Sequence, residues 1–473
     1  MIKQTGHIVN TNDLQQILEM QKKAYLADPF PTEALRKQQL IALKQALLKH
    51  QNKLVKAISA DFGSRSTDES LLADIMPTVM AIDHALKHLR DWMKPEKRKV
   101  SMMFQPAKGR IMFQPLGVIG IMSPWNYPVF LSLGPLVAAI AAGNRAMIKP
   151  SEYTPYANRI INDIIKDAFS MDEVCMVEGD AELAAGFSAL AFDHLIFTGS
   201  TNVGKLVMSA AAKNLTPVTL ELGGKSPALI APDVSAEFAV ERMLYGKCLN
   251  AGQTCVAPDY VLCPETMQDE LIEAFKKQFA QLYPDISCGD YSSIVNEGQF
   301  NRLQAWLDDA QDKGAKIIPL SNKSENLPRS MPLQLVLNTD SSMKVMQDEI
   351  FGPILPIVTY RSLDEAIENI NNRPRPLALY LFTLKKQTET LVLKTTHAGG
   401  VCINDTVTHV AQEDLPFGGV GASGMGKYHA KEGFLTFSAS KPIFKRGRFN
   451  SAKAAFPPYG KFIHKLIYRF LLK

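Results

Sequence analysis

Cysteine is sparse and scattered in this 473-residue sequence: Cys175, Cys248, Cys255, Cys263, Cys288 and Cys402, with no C-x-x-C pair. That argues against a disulfide framework and against a zinc site, so no metal is expected and a reducing compartment, the cytoplasm, is the expected setting. Residues 1–13 lack the apolar core of a secretion signal, and no run reads as a membrane span. Internal repeats and low-complexity segments are missing too. Acid is absent from 441–473, which holds nine Lys or Arg. With a net charge of +5 for the whole, the remainder carries −4. A mildly acidic body with a basic tail argues against nucleic acid as a partner.

What is present is ordinary globular composition, 46% hydrophobic and 21% charged, in a chain long enough for two or three domains. Three amphipathic helical patterns come first. Asp13 is placed to cap one carrying Leu14, Ile17, Leu18 and Tyr25. Thr32 is placed to cap a second through Leu40, Leu43, Leu47 and Val55, and a third spans 69–92 with a bend at Pro77. The charged run 94–99 reads as an exposed linker, and 100–114 as a two-stranded ribbon turning near Lys108-Gly109. Strands at 117–122, 145–149, 174–178, 194–197 and 217–220 then alternate with helices, the pattern of a doubly wound parallel sheet. The G-x-G-x-x-G turn that such a sheet carries after its first strand is missing. Ser123-Pro124-Trp125-Asn126-Tyr127-Pro128 stands there, and a glycine turn, Gly199-x-Thr201-x-x-Gly204, follows the fourth strand. A helix start at that turn offers free N–H groups to a phosphate. Residues 223–400 read as a second αβ domain, with strands at 377–383 and 400–403.

Two stretches carry chemistry. Glu221 ends an apolar run and is followed by paired glycines, Gly223-Gly224. Cys255 sits among small and polar residues in Gly252-Gln253-Thr254-Cys255-Val256-Ala257-Pro258. A reactive thiol needs access, a route to the thiolate and a neighbour that handles protons. A glutamate and a cysteine on adjacent loops supply the nucleophile and the base. The plain alternatives are a small buried hydrophobe for Cys255 and an ion-pair partner for Glu221.

These segments, with Pro124-Trp125-Asn126-Tyr127-Pro128, Lys149-Pro150-Ser151-Glu152 and Glu349-Ile350-Phe351-Gly352-Pro353, resemble the motifs of the NAD(P)-dependent aldehyde dehydrogenase superfamily, in the family's order, from about Leu14 to Ser440. Thr254-Cys255-Val256-Ala257-Pro258-Asp259-Tyr260 and Pro416-Phe417-Gly418-Gly419-Val420-Gly421 are most similar to its class 3 and fatty aldehyde branch. The resemblance implies an α/β aldehyde dehydrogenase fold. A Rossmann-like nucleotide domain would span 1–99 and 115–222, a catalytic domain 223–422, an oligomerisation arm 100–114 and 436–446, and a basic amphipathic extension 447–473. It implies NAD(P)-dependent oxidation of hydrophobic aldehydes, aromatic ones such as coniferyl aldehyde or medium- and long-chain aliphatic ones, through a thiohemiacetal and a thioester on Cys255. Glu221 would be the hydrolytic base, and Asn126 with the Cys255 N–H the oxyanion donors. Lys149 and Glu152 would meet the adenosine ribose. Gly199, Ser200 and Gly204 would cradle the phosphates, and Trp125, Glu349 and Phe351 would border the nicotinamide end. A carboxylate at Glu152 repels a 2′-phosphate, so NAD is expected over NADP.

Several of these residues have an ordinary reading as well: a turn cap for Asn126, a surface pair for Lys149 and Glu152, a helix end for Glu349, core for Phe351. Trp125, Tyr127 and 406–410 are candidates for the substrate tunnel, and His409 is expected to be structural. A homodimer is expected from the arm. In the tail, Phe462, Ile463, Leu466, Ile467, Phe470 and Leu471 oppose Lys461, Lys465, Arg469 and Lys473 at helical spacing. Such a helix either docks on protein or makes peripheral contact with a membrane. The competing functions are a CoA-acylating aldehyde dehydrogenase, disfavoured by Glu221, and a non-catalytic binding protein on the same fold.

Overall fold

The computed structural model describes residues 11–321 and 327–472. Most of the N-terminal stretch lacking a signal core, and Lys473 of the tail, lie outside the described residues.

Thr32 caps the helix Glu33–Phe62, accepting the N–H of Leu35 at 3.2 Å. Leu40, Leu43, Leu47 and Val55 are all buried on one face, as their spacing requires. Covering one such side chain stabilises by roughly 1.5–3 kcal/mol. The first helix, Thr11–Ala27, starts before Asp13, which therefore lies in its first turn and not at the cap. Its charge still suits the positive end of the helix dipole there. The helix predicted over 69–92 is divided into Thr67–Ser70, a wide π-helical turn Leu71–Ile75, and Met76–Trp92 with Pro77 in its first turn. Proline offers no N–H and crowds the carbonyl four residues back, so a widened turn lies where the regular bond cannot form.

A six-stranded sheet runs in the order Gly424–Met425, Val218–Glu221, His194–Thr198, Val118–Met122, Arg145–Lys149, Val174–Met176. All neighbours are parallel except the short Gly424–Met425 edge. Chain order reverses at Val118–Met122, and an α/β sheet binds ligands in the crevice outside the carboxyl ends of its strands at such a reversal. Trp125 and Asn126 leave one of the two strands at that point and Gly199 leaves the other. A seven-stranded sheet, Lys316–Pro319, Gln334–Leu337, Ile354–Tyr360, Tyr260–Pro264, Pro227–Ile230, Ala378–Phe382, Gly400–Ile403, is parallel beyond its first pair. Its central strands are apolar throughout because both of their faces are covered.

The expected ribbon is built differently. Lys108 does not turn; it begins the strand Lys108–Pro115, which pairs antiparallel along its whole length with Ser438–Lys445 and, near its start, with Glu96–Arg98. The run 94–99 is therefore more than a linker, although its three strand residues are all exposed. A ladder eight residues long with a distant strand outweighs the few pairs a local turn could form. An uncharged stretch at 111–144 contains Pro115, Pro124, Pro128 and Pro135. It becomes strand, loop and the fully buried helix Phe130–Ala142. Among the described residues no helix is long and apolar enough to cross a membrane. In the tail, Phe462–Leu471 is helical and rests on the turn Ser451–Ala455. His464 points inward, while Phe462, Leu466 and Phe470 face solvent, Phe470 being 82% exposed.

Candidate active site

Glu221 is the last residue of its strand, where the chain leaves the carboxyl edge of the six-stranded sheet. The glycine two residues later is required: a Cβ on Gly223 would collide with the carboxylate of Glu349. Asn126 is buried in the loop after Val118–Met122. Cys255 follows the helix Ala236–Cys248 and a tight turn in which Asn250 (φ 50°), Ala251 (φ 51°) and Gly252 (φ 74°) are left-handed. Such angles cost on the order of 1 kcal/mol or more for each non-glycine residue, so local contacts must hold them. Cys255 is half-buried, Cys288 exposed and the other four cysteines buried.

Two side chains of the Asn126 loop stitch it to the Cys255 loop. Asn126 Nδ2 donates to the Gln253 carbonyl at 3.1 Å, and the Tyr127 hydroxyl bonds Thr254 Oγ1 at 2.8 Å. A buried ion pair, Lys225 with Asp259, ties in the third segment. Lys225 Nζ also donates to the carbonyls of Val345 (2.8 Å) and Asp348 (3.1 Å), and Asp259 Oδ1 accepts the Ile350 N–H at 2.8 Å. This fixes the segment carrying Glu349 and Phe351. Phe351, at φ 49°, sets its ring edge-on to Trp125 with centroids 5.2 Å apart.

Burial works against charge on the acids and the thiol gathered here. Burial, then the charges of Glu349 and Glu221, push the Cys255 thiol up to about 12, against the pull of the Cys255 and Val256 backbone N–H groups. Burial raises Glu221 well above the ordinary carboxylate range, opposed by Lys427. Among the described residues neither Glu221 oxygen has a hydrogen-bond partner. Burial and then Asp259 raise Glu349 to about 8, while the Gly224 N–H and Lys225 oppose. Strong shifts gathered in one cluster of side chains are characteristic of functional sites.

Along the same edge, Lys149 is buried with its Nζ 3.1 Å from the exposed carboxylate of Glu152. The Ser123 N–H bonds the Lys149 carbonyl at 3.1 Å, and the Gly199 N–H bonds the Glu221 carbonyl at 3.0 Å, so these turns share one rim. Ser200 caps Thr201–Ala212, accepting the Val203 N–H at 3.4 Å. Gly204 packs under Leu222: a Cβ would lie 2.7 Å from Leu222 Cδ2, so a larger residue there would force the buried Leu222 side chain to shift. The exposed first turn and the Lys149–Glu152 pair beside it fit a dinucleotide's phosphates and ribose.

The eleven expected residues thus fall in two groups: Trp125, Asn126 and Glu221 at this edge with Cys255, Glu349 and Phe351 on facing loops of the other sheet, and Lys149, Glu152, Gly199, Ser200 and Gly204 along the rest of the edge. His409 is half-buried, and burial keeps it neutral by lowering it to about 4. Sequence reasoning missed Arg65, Glu69, Asn250, Gln253 and Lys427. Only the i,i+4 spacing of Arg65 and Glu69 was available as a signal.

The sequence profile of the aldehyde dehydrogenase family matches residues 9–443. A relative described as a probable coniferyl aldehyde dehydrogenase, from Pseudomonas aeruginosa, is 52% identical over 463 residues, 98% of this chain and 97% of the relative. The substrate-bound structure of Staphylococcus aureus AldH superposes with a TM-score of 0.91 at 41% identity, covering 97% of this chain and 99% of that one. A betaine aldehyde dehydrogenase from the same organism, in complex with NAD+, superposes at 0.83 with 25% identity, covering 92% and 90%. The fold is the aldehyde dehydrogenase fold, and this chain belongs to the aldehyde dehydrogenase family as an oxidoreductase acting on aldehydes.

Proposed function

We propose that this enzyme oxidises hydrophobic aldehydes, aromatic ones such as coniferyl aldehyde or medium- and long-chain aliphatic ones, to carboxylic acids through a covalent intermediate on Cys255. The observation that carries the reading is the stitching of the Asn126 loop to the Cys255 loop, beside a buried and unpartnered Glu221. The likeness to a probable coniferyl aldehyde dehydrogenase supports the aromatic choice.

Cys255 Sγ, as thiolate, bonds to the aldehyde carbon, and the carbonyl electron pair moves to oxygen. Asn126 Nδ2 and the Cys255 backbone N–H stabilise that oxyanion; one such donor lowers a barrier by about 3–4 kcal/mol. NAD+, when bound, supplies the hydride acceptor and a positive charge that favours the thiolate. Loss of hydride from the former aldehyde carbon leaves a thioester on Cys255. Glu221 takes a proton from water, the hydroxyl oxygen bonds to the thioester carbon, and the C–S bond breaks to return the thiolate and free the acid. Lys149 and Glu152 would hold the adenosine ribose, Gly199, Ser200 and Gly204 the phosphates, and Trp125, Glu349 and Phe351 the nicotinamide end. The Glu152 carboxylate favours NAD over NADP. The enzyme works as a homodimer joined through the antiparallel arm, and its C-terminal helix docks on protein in preference to membrane.

A steady-state screen of aromatic and aliphatic aldehydes with both nucleotides, with free acid measured with and without CoA, tests the reading. Acid formed without CoA, fastest with hydrophobic aldehydes, is expected. Product that appears only as an acyl-CoA would overturn it.

A further inference from the structure

We propose that Arg65 and Glu69 are a positioning pair for the oxidation, holding the Asn126 donor against the Cys255 loop. The proposal rests on the roles given above to Asn126 and Cys255.

The two side chains form an ion pair with Arg65 Nε 3.2 Å from Glu69 Oε1; Arg65 is fully buried and Glu69 10% exposed. Such a pair stabilises a fold little better than apolar residues of the same shape would, so its surroundings must explain it. Arg65 Nη1 donates to the Asn126 backbone carbonyl at 2.8 Å. Its guanidinium lies 5.1 Å from the Phe62 ring centroid and 4.8 Å from that of Tyr127, the residue bonded to Thr254. Glu69 Oε1 accepts the backbone N–H of Asn250 at 3.1 Å and the Ser292 hydroxyl at 3.0 Å. Asn250 is one of the left-handed residues before Cys255, and its Nδ2 donates to the carbonyls of Asn126 (3.0 Å) and Gln253 (3.3 Å). Gln253 O is also where the Asn126 amide is anchored.

A closed circuit results: Arg65, Asn126, Gln253, Asn250, Glu69 and back to Arg65. It joins the loop after helix Glu33–Phe62, the loop after the first strand of the nucleotide sheet, and the strained turn before the nucleophile. Among the described residues Asn126 Oδ1 has no partner and the amide is held by Nδ2 on Gln253, which leaves its second hydrogen for a substrate oxygen. Its placement therefore depends on the backbone carbonyl that Arg65 and Asn250 grip. Arginine's planar fork serves the ion pair from Nε and the carbonyl from Nη1; a lysine would have to serve both from a single ammonium on a different stem, with changed geometry.

The test uses Arg65→Lys and Glu69→Gln, each alone and combined with Asn126→Ala, in the full-length enzyme. Asn126→Ala alone should lower kcat by about 10²–10³-fold, as expected for a lost oxyanion donor. Arg65→Lys and Glu69→Gln should each lower kcat about tenfold through misplacement of that donor, with KM and the NAD+ dissociation constant, read by fluorescence, within about twofold of wild type. In the Asn126→Ala background neither change should cost a further factor. A penalty that multiplies unchanged onto Asn126→Ala would overturn the proposal. So would wild-type kcat in both single variants, or loss of NAD+ binding in both, which would make the pair part of the fold's stability. Wild-type turnover in Asn126→Ala alone would instead sink the parent assignment of Asn126, and this proposal with it.

Discussion

Burial raises the Glu221 carboxylate well above its ordinary range, and nothing among the described residues bonds it. A base must be ionised to take a proton from water, so a raised pKa shifts its working range upward. Release of acid should rise with pH across the Glu221 titration, measured as single-turnover thioester hydrolysis. In Glu221→Gln, hydrolysis should fall by about 10²–10⁴-fold, the usual worth of a positioned base, and lose that pH dependence. A burst of NADH followed by a stalled acyl-enzyme, seen by intact-protein mass spectrometry, is the expected signature. Cys255→Ser should remove the burst itself while leaving NAD+ binding intact. Glu152→Ala should narrow the preference for NAD over NADP, read as the ratio of kcat/KM values; an unchanged ratio would place the ribose elsewhere. These residues were legible because each stands in a short contiguous motif. Arg65 and Asn250 were not, nor was the part Gln253 plays inside the Cys255 motif, since their meaning lies in a circuit that joins positions 65–69, 126 and 250–253.

Secondary elements followed local pattern where local pattern was sufficient. The five strands leading to Glu221 lie within two residues of the ends their apolar runs predict, because both faces of that sheet are covered and nothing competes. The ribbon at 100–114 departed because its partner strand lies at Ser438–Lys445, and no local signal reports a partner so remote. The division at Leu71–Ile75 was visible only as Pro77, which marks a disturbance without giving its form. The helix Thr201–Ala212 makes the sharpest claim at this scale. Gly204 lets it approach Leu222, so Gly204→Val should push its first turn off the sheet. The NAD+ dissociation constant should rise by at least about tenfold, or about 1.4 kcal/mol. Calorimetry would check this, and unchanged affinity would remove the phosphates from that turn.

At the scale of the molecule, charge and apolar surface gather at one end. The tail bears nine cations without an acid, and its helix leaves Phe462 and Phe470 bare. Removing residues 456–473 should change turnover of long-chain aldehydes or the sedimentation of the enzyme. If neither kinetics nor association state moves, the helix has no part in the substrate entrance or in assembly. The arm carries a different implication. Gln114 and Lys441, which bond side chain to side chain across it, are 327 residues apart. At a synthesis rate of about 5–20 residues per second, the earlier strand waits roughly 16–65 s on the ribosome before its mate exists. Through that interval 108–115 presents an open edge to every neighbouring nascent chain. The enzyme's exposure to mispairing is thus set by translation speed and by whatever shields that edge until the last residues emerge.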